Sequence, residues 1–174
     1  MGIPADQIQV LTPTRKGPAG TVNLNRLLQE ALNPKGPEKR ELLWGDRLFR
    51  EGDRVMQTRN DYDVVWEKED GTVGTGMFNG DVGKIVKIDD SGEWLELDFD
   101  GRRAVYGVEQ LNEVDLAFAM TVHKSQGSEY RCVVLAAMPA PPSLMVRGVL
   151  YTALTRAREL LEVVGDDAAV REMA

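Results

Sequence analysis

Residues 7–33 read QIQVLTPTRKGPAGTVNLNRLLQEALN and decide the fold class. Residues 7–12 partly alternate apolar and polar side chains, which predicts a β-strand. Residues 15–20 form a basic loop rich in Gly and Pro, and residues 21–33 carry apolar side chains at the spacing of an amphipathic helix. These apolar side chains are Leu24, Leu27, Leu28, Ala31 and Leu32. A strand, a loop and a helix in this order, ended by Pro34, predict the start of an α/β domain.

The last third of the chain also mixes strand and helix patterns. Residues 115–123 (DLAFAMTVH) and 132–138 (CVVLAAM) are apolar runs that are typical of buried strands. A helix is predicted over residues 144–160, a strand over 161–165 and a short helix over 166–173. Together with the first strand and helix, these segments predict one layered α/β domain.

The middle of the chain has a different pattern. Between residues 52 and 106, short strand-like segments alternate with turn signals such as Asn79-Gly80-Asp81, which predicts a small all-β barrel of the SH3-like type. Residues 61–76 are acidic, and we expect them to form a projecting β-hairpin or a mobile loop. Trp66 in this polar stretch is a candidate for stacking on nucleic-acid bases. The predicted parts of the chain are residues 1–46 and 114–174, which form the α/β domain, and residues 47–113, which form the inserted barrel.

Charge supports this division and limits the function classes. The chain carries 21 basic and 28 acidic side chains, a formal net charge of −7. Residues 1–50 hold 8 basic and 5 acidic side chains, residues 51–115 hold 7 and 17, and residues 116–174 hold 6 and 6. Such a chain is not a general cationic coat for nucleic acid, so any DNA contact must be local. One Cys and one His exclude an internal disulfide and a Cys-rich zinc site.

Two segments carry candidate chemistry. Residues 121–129 (TVHKSQGSE) follow a predicted buried strand, and open α/β sheets bind ligands at the carboxyl ends of their strands. Their polar groups could hold a phosphate and a ribose hydroxyl, although an ordinary capped turn is the simpler interpretation. Residues 150–159 (LYTALTRARE) predict a helix end. Both Arg156 and Arg158 could be solvated cations near this helix end. Alternatively, one of the two arginines binds a phosphate and stabilises the negative charge that develops on it during a reaction.

The order of these segments resembles a known family. TVHKSQGSEY followed by LYTALTRARE resembles motifs V and VI of superfamily 1 DNA helicases, with UvrD-type C-terminal motifs. LTPTRKGPAGTVNLNRLLQEALNP, and GDRVMQTRNDYD followed by MFNGDVGKI, resemble the RecD-like branch specifically. The resemblance covers essentially the whole chain in the same order. It implies an α/β fold in which a RecA-like parallel-sheet domain, of the P-loop NTPase type, is interrupted by a small all-β SH3-like barrel.

The resemblance also implies an activity. Members of this family are ATP-dependent helicases that move 5′ to 3′ on DNA in recombination and repair, with ATP and Mg²⁺ as cofactors. The chain has no G-x-x-x-x-G-K-[ST] phosphate loop and no strand that ends in the paired acids of a magnesium site. The family carries both on its first RecA-like domain. We therefore expect a C-terminal portion of such a helicase, with the magnesium ligands on the N-terminal motor domain and no ATP hydrolysis by the isolated chain.

Residue roles follow from the same resemblance. Arg156 is the implied catalytic residue, aimed at the γ-phosphate across a cleft between two motor domains. Gly127, Glu129 and Arg15 are the implied nucleotide contacts, and Lys16 is an equal alternative to Arg15. The implied contacts to single-stranded DNA are Thr121, His123, Lys124, Ser125 and Gln126. No residue is assigned as a metal ligand.

The expected partners are single-stranded DNA, the N-terminal RecA-like domain of the same protein, and nuclease or repair subunits. No apolar run approaches the length of a membrane-spanning helix, and the N-terminus lacks a secretory signal. We therefore expect a cytoplasmic protein without a membrane partner. Two alternatives stay open: the helicase half of a conjugative relaxase, which shares motifs V and VI, and a non-catalytic module that binds a protein through its barrel.

Overall fold

The computed structural model describes residues 2–174, which form two compact units. One unit comprises residues 2–28 and Phe118–Ala174, and the other comprises Gln29–Ala117. We call them the parallel-sheet unit and the antiparallel unit, after the sheets that they contain. The division after Leu28 and after Ala117 does not test the boundaries at residues 46 and 113, which stay predictions. The helices and strands, in chain order, are β1 (Ile8–Thr12), α1 (Thr21–Leu32), β2 (Glu41–Trp44), β3 (Arg47–Arg50), β4 (Arg54–Gln57), β5 (Asp61–Glu67), β6 (Val73–Met77), β7 (Val82–Ile88), β8 (Trp94–Phe99), β9 (Arg102–Gly107), β10 (Val114–Leu116), β11 (Ala119–Thr121), β12 (Tyr130–Ala137), α2 (Arg147–Arg156), β13 (Ala157–Gly165) and α3 (Asp167–Met173).

The parallel-sheet unit contains a four-stranded sheet in the order β11-β1-β12-β13, in which every pairing is parallel. Helix α2 packs against β12 and β13, and α3 packs against α2 and β12. Leu11, Val133 and Leu135 are fully buried between these layers, as are the α2 residues Val149 and Ala153. Helices that cover a parallel sheet bury its apolar strands, so the predicted α/β class is confirmed.

The antiparallel unit contains a seven-stranded sheet in the order β10-β4-β7-β8-β9-β5-β6 and a separate β2–β3 hairpin. Its core is lined by inward-facing side chains of alternating strand positions. The bulkiest of these are Phe49, Phe99, Tyr106, Met77, Ile85, Ile88, Leu95 and Leu97. Leu111, on the 3₁₀ helix Val108–Glu113, belongs to the same core. The all-β insert is therefore confirmed. Among the described pairings, however, the outer strands β10 and β6 do not join, because the β5–β6 hairpin extends the sheet beyond β9 and leaves the barrel open.

Trp66 belongs to the sheet and not to a polar loop. It lies on β5 opposite Ala104 of β9 and Gly74 of β6. The indole covers Gly74 so closely that a Cβ at that glycine would lie 2.3 Å from the ring. The placement of Trp66 in a polar loop is therefore wrong, because its ring packs against a neighbouring strand, and stacking on bases or contact with a partner by Trp66 stays a prediction.

The apolar run 115–123 forms two strands instead of the single predicted one. Strand β10 pairs antiparallel with β4, whereas β11 pairs parallel with β1. Between them, the N–H of Ala117 donates to the carbonyl of Arg54. Val114 and Ala119 are both buried, each in its own unit. The hydrophobicity of residues 115–123 predicts that they are buried. It does not show that they contribute to the cores of both units.

Helix α1 buries its amides and not its leucines. Asn25 exchanges two hydrogen bonds with the backbone of Ala119 on the outer strand β11. Gln29 and Asn33 donate to the buried carboxylate of Asp53. These amides satisfy backbone and carboxylate groups that would otherwise be buried without partners. The exposed large apolar residues of this helix are Val22, Leu27 and Leu32.

Candidate nucleotide and nucleic-acid site

The parallel register gives the sheet two distinct ends. Thr12 and Thr121 are Cα partners at the carboxyl ends of β1 and β11, which we call the carboxyl edge. Tyr130 and Ala157 are partners at the amino ends of β12 and β13, which we call the amino edge. Since Ile8 pairs with Cys132, six residues of strand separate the two edges along the sheet, a distance of roughly 20 Å at about 3.3 Å per residue.

Residues 122–129 connect one edge of the sheet to the other. They leave β11 at the carboxyl edge and enter β12 at the amino edge. The sequence suggested a single polar loop at the carboxyl ends of the strands, and that view is too simple. The first half of the segment lies at one edge and the second half at the other, because a parallel strand must be entered from its amino end.

The first half of the segment is a short 3₁₀ helix, Val122–Ser125. The hydroxyl of Thr121 caps it by accepting from the backbone N–H of Lys124 at 3.4 Å. His123 is exposed and Lys124 is partly exposed at this edge. Ser125 is fully buried, and its hydroxyl donates to the carbonyl of Val122 at 2.6 Å. The hydroxyl of Ser125 thus holds the turn, and the assignment of this residue as a DNA contact stays a prediction.

The second half of the segment turns at Gly127. Its φ of +87° lies in the left-handed region, and no atom lies within 4 Å of the position that a Cβ would occupy. Gly127 is thus required by the backbone conformation and not by close packing. Gln126 next to it is exposed. The turn delivers Ser128 and Glu129 to the amino edge.

Helix α2 ends at the amino edge and presents Arg156 there. The predicted helix over residues 144–160 is shorter in the structure, because Ala157 already pairs with Tyr130 and starts β13. The guanidinium of Arg156 donates through Nη1 to the carbonyl of Ser128 at 3.0 Å. Its Nε is buried and has no hydrogen-bond partner among residues 2–174. Arg156, from the segment 150–159, therefore contacts the loop formed by the segment 121–129.

Two ion pairs join the amino ends of β12 and β13. Arg158 donates through Nε to Glu129 at 2.8 Å, and Arg131 donates through Nε to Glu159 at 2.7 Å. These side chains line an open pocket of about 370 Å³ together with Asp6, Gln7 and Tyr130. Each pair is about half exposed, so its contribution to stability is small. The Arg158 pair places the carboxylate of Glu129 at the amino edge.

The structure does not bring all the predicted nucleotide contacts together. Arg156, Gly127 and Glu129 meet on the amino-edge side of residues 122–129. Arg15 follows Thr12 and lies at the carboxyl edge, in the same loop as Lys16. The reasoning from sequence also missed Arg131 and Glu159. Arg131 and Glu159 carry opposite charges near the starts of β12 and β13, and this could have indicated an ion pair. The sequence alone does not show that these two strands are neighbours, so the ion pair could not be predicted from it.

Within residues 2–174, no three His, Cys, Asp or Glu side chains form a group that could hold a metal ion. The same residues contain no helix that is both long and apolar enough to cross a membrane. At the amino edge, the guanidinium of Arg156 lies near the carboxylate of Glu129. A guanidinium can bind phosphate oxygens and a carboxylate can accept from a ribose hydroxyl, so the pair is chemically suited to a nucleotide.

Comparison with solved structures assigns the class of the fold. The chain resembles Pif1 helicase from Bacteroides in complex with ADP-AlF3 and single-stranded DNA, with a TM-score of 0.56 and 18% identity over 94% of this chain and 42% of that one. It also resembles the Pif1 helicases of a study of unwinding at forked double-stranded DNA, with a TM-score of 0.54 and 17% identity over 95% of this chain and 43% of that one. The chain thus has the RecA-type α/β fold of these structures, interrupted by an antiparallel insert.

Comparison of sequences gives the family. Residues 24–99 match the SH3 domain of ATP-dependent RecD-like DNA helicases, and residues 116–164 match the UvrD-like helicase C-terminal domain. The ATP-dependent RecD2 DNA helicase of Deinococcus radiodurans is 38% identical over 93% of this chain and 20% of its own length. The RecBCD enzyme subunit RecD of Mycolicibacterium smegmatis is 35% identical over 95% of this chain and 26% of its own length. The chain belongs to the RecD-like DNA helicases, and it spans about a fifth to a quarter of the length of these relatives.

Proposed function

We propose that this chain supplies the second motor domain of an ATP-dependent 5′–3′ DNA helicase that acts in recombination and repair. In this proposal the amino edge of the parallel sheet binds nucleotide, and the carboxyl edge binds single-stranded DNA. A first RecA-like domain completes the nucleotide cleft and carries the phosphate loop and the ligands of Mg²⁺. Nuclease or repair subunits are further proposed partners, as the RecBCD name of several relatives suggests.

The contact between Arg156 and the carbonyl of Ser128 carries the proposal. It joins the end of a helix to a loop 28 residues earlier in the chain. Beside it, Arg158 holds Glu129 at the same edge. A guanidinium that rests on a neutral carbonyl is free to exchange that acceptor for a phosphate oxygen, which binds arginine more strongly.

The proposed catalytic step uses Arg156 when the cleft closes. ATP binds between two motor domains, and closure brings the guanidinium to the γ-phosphate, where it stabilises the charge that develops during transfer. Gly127 and Glu129 contact the nucleotide on this side. ATP favours the closed state more than ADP does, so each cycle opens and closes the cleft.

The proposed DNA contacts lie at the other end of the same segment. Thr121, His123, Lys124 and Gln126 contact the phosphates of a single strand, with little reading of bases. Ser125 contributes by holding the 3₁₀ turn that presents them. Because one segment of the chain links the two edges, a movement of the loop at Ser128 is transmitted towards the DNA side.

An arginine substitution tests the catalytic assignment. In the complete helicase polypeptide, Arg156→Ala should lower the rate of ATP hydrolysis by about 10³-fold, the lower range for an arginine that stabilises phosphoryl transfer. Nucleotide binding in the open state should change much less. Arg147→Ala is the matched control, since Arg147 is an exposed arginine at the other end of the same helix.

Two outcomes would contradict the proposal. One is equal hydrolysis by the Arg156→Ala and Arg147→Ala proteins. The other is ATP turnover by the isolated 174-residue chain above that of its Arg156→Ala variant, because the chain lacks a phosphate loop and is expected to be inactive alone.

A further inference from the structure

The guanidinium of Arg156 is held at both of its terminal nitrogens. Nη1 donates to the carbonyl of Ser128 at 3.0 Å, and Nη2 donates to the hydroxyl of Thr155 at 3.4 Å. Because a guanidinium is planar, contacts at these two nitrogens define the direction in which the whole group points. The contacts come from two elements, since Ser128 lies in the segment 121–129 and Thr155 lies in the last turn of α2.

The hydroxyl of Thr155 is an acceptor for Arg156 because its own hydrogen is already used. It donates to the carbonyl of Thr152 at 2.9 Å, about one turn earlier on α2. A hydroxyl has one hydrogen and two lone pairs, so only acceptor positions remain. The bond to the helix backbone fixes where these lone pairs lie. Thr155 therefore presents an oriented acceptor at the end of the helix.

Both acceptors of Arg156 are neutral oxygens. They orient the guanidinium without cancelling its charge, and a neutral acceptor binds a guanidinium less strongly than a phosphate oxygen does. Arg158, two residues later, donates instead to the carboxylate of Glu129 at 2.8 Å. Exchange of an acceptor for a phosphate oxygen is therefore easier for Arg156 than for Arg158.

We propose that Thr155 is a positioning residue for Arg156 in ATP hydrolysis. This inference rests on the proposed function and adds a residue to it. When Nη1 leaves the carbonyl of Ser128 for the γ-phosphate, the bond from Nη2 to Thr155 keeps the guanidinium in its orientation. A catalytic group that is oriented before the reaction loses less entropy in the transition state. Thr155 acts through Arg156 and does not itself contact the nucleotide.

The test compares Thr155→Val and Thr155→Ser in the complete helicase polypeptide. Valine has nearly the shape and the helix propensity of threonine but no hydroxyl, whereas serine keeps the hydroxyl. Thr75→Val is the matched control, because Thr75 is exposed on β6. Steady-state ATP hydrolysis is measured with saturating oligothymidylate, and circular dichroism confirms that each variant is folded. Thr155 is exposed, and Thr155→Ala repeats the test if valine disturbs α2.

Thr155→Val should lower kcat about five- to tenfold and change the KM for ATP by less than about twofold, because the bond orients Arg156 for the transition state and does not hold bound ATP. Thr155→Ser should restore most of the rate, and Thr75→Val should leave it unchanged. In the Arg156→Ala background, Thr155→Val should cause no further loss, because a residue that acts only through Arg156 has nothing left to position.

Three results would overturn the inference, and they separate it from the proposed function. If Arg156→Ala is slow but Thr155→Val hydrolyses ATP at the native rate, only the inference fails. The same holds if Thr155→Val slows the Arg156→Ala protein by the same factor as the native protein, because Thr155 then acts independently of the arginine. If Arg156→Ala hydrolyses ATP at the native rate, the catalytic assignment and the inference fail together.

Discussion

Removal of the Asp53 carboxylate should strongly destabilise the antiparallel unit. Asp53 is fully buried, and its oxygens accept from Gln29 Nε2 at 2.6 Å, Asn33 Nδ2 at 2.7 Å and the backbone N–H of Arg50 at 2.6 Å. Asp53→Ala leaves these three donors without an acceptor. Each buried unsatisfied donor costs about 1–3 kcal/mol, and partial rearrangement lowers the sum, so we expect a loss of about 3–5 kcal/mol.

Tryptophan fluorescence provides a suitable assay. Trp44, Trp66 and Trp94 all lie in the antiparallel unit, so their emission during urea unfolding reports on the unit that contains Asp53. The free energy of unfolding follows from linear extrapolation. Asp63→Ala is the control, because Asp63 is exposed on strand β5. A loss below about 1 kcal/mol for Asp53→Ala, or equal losses for the two variants, would refute the reasoning.

The same site predicts a pH dependence. Burial raises the pKa of Asp53 above its ordinary value, against the opposing effect of its hydrogen bonds. A group whose pKa is raised in the folded state binds its proton more tightly there than in the unfolded chain. Its contribution to stability is therefore complete below the unfolded pKa and decreases as pH rises through the folded pKa. The difference in unfolding free energy between the native protein and Asp53→Ala should narrow as pH rises from acid towards neutral.

Three further predictions concern single residues. Burial raises the pKa of Tyr106, whose hydroxyl donates to Gln57 at 3.1 Å, so alkaline titration followed at 295 nm should leave Tyr106 protonated until the protein unfolds. Titration of all 4 tyrosines in the folded protein would contradict this. Burial also raises the pKa of the Cys132 thiol, so DTNB should label it only after denaturation, and rapid labelling of native protein would count against the structure. Gly127→Ala should destabilise by about 1 kcal/mol because of its left-handed φ. Gly148→Ala on α2, with free space around it, should stabilise by roughly 0.4–1 kcal/mol, and thermal melting by circular dichroism distinguishes the two.

Local patterns in the sequence identified much of the site but not its layout. The 121–129 segment and the helix that contains Arg156 were recognisable because helicase motifs are short and contiguous. The split of residues 115–123 between two sheets, the end of α2 at Arg156 and the buried Ser125 were not recognisable. Each of these depends on a partner far away in sequence, and hydrophobic periodicity contains no information about which strand will be the neighbour.

By itself, the sequence determined the α/β class, the all-β insert and the chemical groups available for binding phosphates. Apolar spacing and turn residues are local properties, so they determine elements without reference to the rest of the chain. Only the tertiary structure decided that Arg156 and Glu129 share one edge of the sheet while Arg15 and Lys124 lie towards the other. The physical reason is the register of parallel strands, which is set by long-range hydrogen bonds and places residues that are close in sequence at opposite ends of the sheet.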